Sequence, residues 1–277
     1  MFGKLLKHDF LAIFKNWRIV ALASIVGALI GGLSMRLMES ASEINPLIEL
    51  ITGLGVTASF FLIFVSAIGA QLLIYIRYYK HFFSDEGYLT FTLPAKRSQL
   101  LASKTVNAVI WSVISILLLL VEVVIFTLAY AGLGRISEFI SELSLIFQYP
   151  IFPSYVWYAV YAAILAFLTL ASSWFQINII YFCITMGATL AKKHKILAAF
   201  GIYYATNMVL SFASQFLMVF AIVFINESSS FFERLSENAI WTMVAVLLFV
   251  ASVIIAAIGA VFYAINLKRI KNNLNLA

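Results

Sequence analysis

Glu122 stands inside the apolar run LLLLVEVVIF, and it is the one carboxylate in the chain set deep in such a run. An ionised carboxylate facing lipid is unfavourable by about 3 kcal/mol, so the group must face another helix or a wet cavity, or carry a proton. Along a helix rising about 1.5 Å per residue it lies about 27 Å from Lys104. Two readings stay open: a group lining a substrate path or pairing with a partner helix, and a carboxyl hydrogen-bonded within the bundle or reaching the outer interface. A lone acid is not a catalytic pair. Gln176, Asn178, Asn207 and Gln215 are the further polar candidates in apolar stretches. Amides there commonly hydrogen-bond between helices at modest energy, so packing competes with a pathway role for each.

Other chemistry is hard to place. Cys183 is the single cysteine, and His8, His81 and His194 are scattered, so neither an internal disulfide nor a metal-ligand spacing is present in the sequence. No GxxxxGK[ST] phosphate loop, GxSxG, HExxH or paired-cysteine motif occurs. The expectation is a chain that is not an enzyme and holds no cofactor or metal of its own.

The elements that must position these residues follow from composition. With 64% hydrophobic and 11% charged residues, and a mean hydropathy of +1.03, the chain lacks the polar surface of a soluble domain. A hydrocarbon core of about 30 Å takes about 20 helical residues. Six stretches reach that length: 18–36, 53–76, 105–131, 155–182, 197–225 and 240–265, the fifth long enough to expect a break. Fifteen of the 18 Lys and Arg fall in one set of alternate loops and termini, leaving only Arg36, Arg135 and Arg234 in the other. The positive-inside rule therefore puts both termini in the cytoplasm. The fold expected is an all-α polytopic membrane protein of six transmembrane helices, a single domain over 1–277.

Residues 1–17 form their own design. Phe2, Leu5, Leu6, Phe10, Ile13, Phe14 and Trp17 share one helical face, with Lys4, Lys7, His8 and Lys15 opposite, as in a helix lying in the headgroup plane. Asp9 is the exception, near the edge of the apolar arc. A simple basic flank orienting the first span is the plainer alternative. A second amphipathic stretch, 136–147, precedes Pro150 and Pro153, while 226–238 is polar and short. Gly27, Gly31 and Gly32 include a small-xxx-small spacing that permits close helix approach.

The loop 77–104 is too rich in aromatic and turn residues for a connector. Ser84, Asp85, Glu86 and Gly87 suit a cap or turn, Tyr88, Leu89, Phe91 and Leu93 present apolar groups, and Pro94 precedes Ser98 as a cap for the third span. Apolar groups framed by polar ones read as a docking surface, or as an aromatic belt at the headgroups. The run SDEGYLTFTLPAKRSQLLASK resembles the corresponding loop of ABC-type exporter permeases, the six-span "type two" family of Gram-positive bacteria. The start MFGKLLKHDF and its amphipathic helix are also similar to that family. The resemblance implies a bacterial plasma-membrane permease subunit that pairs with a second permease copy or a homologous permease, driven by a separate cytoplasmic ABC ATPase that holds ATP and Mg. It further implies a coupling helix docking into that ATPase, a role falling on Ser84, Asp85, Glu86, Gly87, Tyr88, Leu89, Thr90 and Phe91, with Leu93 and Pro94 closing the motif. The alternatives are a stand-alone carrier, proton-linked through Glu122, a non-transport scaffold, and, least supported by motifs, a membrane-bound enzyme.

Overall fold

Without water, backbone N–H and C=O groups must be satisfied within the chain, and a helix does this segment by segment. The computed structural model describes residues 2–41, 46–92, 94–132, 154–191, 193–227 and 236–272, with isolated positions 137, 140, 141 and 144. Among them the architecture is all-helical: α1 (Phe2–Ala41), α2 (Pro46–Phe83), α3 (Asp85–Thr92), α4 (Arg97–Ala131), α5 (Tyr155–Leu190), α6 (Lys195–Glu227) and α7 (Glu237–Asn272). All but α3 are long and apolar enough to cross a membrane, which gives the six-span fold expected from the sequence.

Three local expectations change. The amphipathic segment 1–17 is not a separate helix: α1 continues without a break from Phe2 through the first apolar stretch to Ala41. Its apolar face has a protein partner, since Phe10, Phe14 and Trp17 gather on the Trp111 ring at centroid distances of 4.7, 6.2 and 5.0 Å. The fifth stretch is one helix, α6, rather than a broken one. Finally, α4 starts at Arg97 with the Gln99 and Leu100 N–H groups on the Lys96 carbonyl, so Ser98 lies inside the first turn and is not its cap. Most of 136–147 and of 226–238 lies outside the described residues; of the former only Ser137, Ile140, Ser141 and Ser144 are described, all helical.

The chain forms two compact units. The first comprises Met1–Tyr78 and Val106–Pro150, the second Tyr79–Thr105 and Ile151–Ala277. In the first, the α1 glycines do what their spacing suggests. A Cβ on Gly27 would press on Leu62 of α2 at 3.1 Å, and one on Gly32 would meet the Phe126 carbonyl and Ala129 of α4. Gly132, at φ +74°, turns the chain at the end of α4, its N–H on the Leu128 carbonyl and the Arg36 guanidinium beside it.

In the second unit α5 packs against both α6 and α7. Aromatic pairs run in step along α5 and α7, which are therefore parallel: Tyr161–Trp241 (5.9 Å), Phe167–Phe249 (5.7 Å) and Trp174–Tyr263 (5.5 Å). The Tyr161 hydroxyl also donates to the Trp241 carbonyl at 2.9 Å. Ser154 caps α5, accepting from the Val156 N–H at 3.2 Å. At the other end of α5, Gly187 approaches α6 so closely that a Cβ would lie 2.5 Å from the Ala199 nitrogen, whereas Gly201 faces open space. Gly187→Val is expected to destabilise the chain by about 1–3 kcal/mol through overpacking against backbone, and Gly201→Val to leave this contact untouched. Thermal unfolding of the two variants in detergent checks this; equal midpoints would contradict it.

Candidate functional site

The short helix α3 covers most of the sequence-singled segment 84–91. It begins after a bend at Ser84, whose carbonyl accepts from the Gly87 N–H at 2.7 Å. Gly87 is buried because α3 folds back on the end of α2: a Cβ there would sit 3.0 Å from the Phe82 carbonyl oxygen. Phe82, fully buried, meets the Phe91 ring edge-on at 5.6 Å. Thr90 is buried too, its hydroxyl on the Glu86 carbonyl at 3.0 Å. Asp85, Tyr88 and Leu89 lie in the helix; their side chains, and Leu93, are outside what is described.

Two polar devices anchor this helix within the second unit. The Arg97 guanidinium lies 5.6 Å from the centre of the Phe91 ring, and its Nη1 donates to the carbonyls of Ile270 (2.9 Å) and Lys271 (2.7 Å). These are among the last carbonyls of α7, which have no intrahelical donor, and a cation there also favours the helix dipole. The second device is a relay. Lys104 Nζ lies 3.1 Å from His81 Nδ1, and His81 Nε2 lies 3.4 Å from Glu86 Oε2. An ammonium only donates, so Nδ1 accepts and the imidazole proton sits on Nε2, aimed at the carboxylate. Lys104 is thus buried at the root of α4 while Glu86 stays exposed on α3. Neither Arg97 nor His81 stands out in the sequence, because the acceptors of Arg97 lie at the far end of α7 and Lys104 stands a helix away from His81.

The intramembrane polar candidates separate. Glu122 is 2% exposed in the first unit and hydrogen-bonds Ser24 of α1, while its Oε2 has no protein partner. In the second unit, Asn178 and Asn207 donate to carbonyls of their own helices, Trp174 at 2.7 Å and Tyr203 at 2.9 Å, rather than across an interface. Gln176 and Gln215 are exposed. Asn207 and Gln215 do share a shallow groove along α6 with Ser211 and Tyr204. One ionic contact explains the exception noted in the N-terminal arc: Asp9 is buried and lies 3.6 Å from Arg77 of α2.

Comparison with protein-family models, curated proteins and solved structures finds no match for this chain. What the geometry adds is a mechanical connection from α3 to the end of α7. Arg97→Ala is expected to speed amide hydrogen exchange in the last turn of α7 while leaving mid-span α5 protected. Unchanged exchange at Ile270 to Asn272 would show that Arg97 does not hold that end.

Proposed function

We propose that this chain is the membrane-spanning permease subunit of an ATP-driven ABC exporter in a bacterial plasma membrane, both termini cytoplasmic, working as a pair and driven by a separate ATPase. The observation that carries the reading is α3: an eight-residue helix in the most basic inter-span loop, buttressed from beneath and joined to the ends of three longer helices. Its surroundings suit a lever. Motion of α3 pushes on α2 through Gly87 and the Phe82–Phe91 contact, on α4 through Glu86 and the His81–Lys104 pair it faces, and on α7 through Arg97.

A motor can drive such a subunit only through a difference in affinity for its two states, so the docked face of α3 must differ between them. Closure of the ATPase pair would move α3, and the long helices attached to it would change which side of the membrane the pathway opens to. The phosphate loop lacking from the sequence fits a permease whose motor is another polypeptide.

Affinity capture of the tagged full chain in mild detergent tests the reading, alongside a variant carrying Tyr88→Asp and Leu89→Asp. The expected result is a nucleotide-binding ATPase held by the wild type and lost from the variant, with the variant still in the membrane. Capture that survives the double substitution would remove α3 as the docking element. Absence of an ATPase from both would overturn the permease reading in favour of a stand-alone carrier.

A further inference from the structure

Helix α4 carries buried polar atoms that no protein group satisfies. They are Asn107 Nδ2 and Oδ1, Trp111 Nε1 and Glu122 Oε2, on side chains no more than 2% exposed. At 3.6 residues per turn, Asn107, Trp111, Ser115 and Glu122 fall within about 80° of one another around the helix, so the unsatisfied atoms form one line and not a scatter. The same face meets polar groups from the other helices of the first unit: Trp17 Nε1 donates to Ser115 Oγ at 3.1 Å and Ser24 meets Glu122, while Ser112, on the flank of that arc, has its Oγ 3.4 Å from Gln71 Oε1. Buried polar groups without protein partners are characteristically served by internal water where several converge.

The hydrogens around Glu122 can be counted. Ser24 has a single hydroxyl proton, directed to the Ala21 carbonyl at 3.0 Å. While it points there, a bond between Ser24 and Glu122 uses the carboxyl's own proton, the acid donating; turned to Glu122 instead, the hydroxyl donates to a carboxylate. Loss of that proton to water leaves a carboxylate, one oxygen able to accept from a reoriented Ser24 hydroxyl and the other from water.

We propose that a file of water occupies this seam of the first unit, bonded to Asn107, Trp111 Nε1 and Glu122 Oε2, and that Glu122 is a reversible proton-binding site served by it. Charged side chains of the same helices do not take the proton's place. Arg18 is exposed and about 9 Å along α1 from Ser24, and Lys104 is about 27 Å along α4 from Glu122. Arg36, Glu39 and Glu49 are exposed, and Asp9 and Arg77 face each other. The site does not depend on what drives the chain, so its failure and that of the permease reading are separate outcomes.

Infrared difference spectroscopy of the full chain in lipid nanodiscs tests it. At neutral pH the wild type should show a protonated-carboxyl C=O band that is missing from Glu122→Gln and that shifts promptly on transfer to D2O. Asn107→Leu should slow that shift severalfold. Trp111→Phe, which removes the indole N–H but keeps an aromatic ring, should do the same and serves if the leucine variant does not fold. Absence of the band, or a band still unshifted after exposed amides have exchanged, would overturn the proposal, as would prompt shifts in both seam variants.

Discussion

Hydrocarbon offers no hydrogen bonds, and that constraint places many of the polar groups in the described spans. It selects helices for the spans. It also shows in the small hydroxyl residues, which turn back onto their own backbone: Thr57 donates to the Gly53 carbonyl, Thr105 to Leu101, Thr169 to Leu165 and Ser252 to Leu248. Each such hydroxyl is satisfied locally and leaves the helix exterior free to meet lipid or another helix. Asn178 and Asn207 use the same solution for their amide donors.

Groups too long or too charged for that solution need a neighbour. Asp9 uses Arg77, which lets an acidic residue lie under an otherwise apolar face. Trp111 draws Phe10, Phe14 and Trp17 around its ring, so the N-terminal part of α1 packs on α4 with the residues that would otherwise meet lipid headgroups. The aromatic face and the buried carboxylate are consequences of one packing choice. Glu122 belongs to the same group, and the line of unsatisfied atoms beside it is where protein partners run out.

The second unit meets the constraint at its aqueous edge in another way. Helix ends expose carbonyls, and Arg97 closes two of those of α7 while covering the Phe91 ring. Lys104, almost fully buried, is held by His81, which in turn faces Glu86 on α3. A ring contact, a glycine approach and two polar anchors together fasten the short helix α3 to the ends of the longer helices around it.

By itself the sequence determined the six apolar helices, because span length and composition follow from lipid thickness and the cost of polar groups in it. It also marked Gly27, Gly31 and Gly32 as a close-approach face, singled out the segment that forms α3, and flagged Asp9 as out of pattern, all of which are local regularities. Only the tertiary structure decided the partners. The continuity of α1 past Trp17, Arg77 opposite Asp9, Arg97 on the end of α7 and Ser24 at Glu122 join residues from well-separated segments, and no local period encodes such pairings. Hydropathy distinguishes lipid from water along one segment, but it does not say which helix faces which. That choice rests on the complementarity of side chains across the interface.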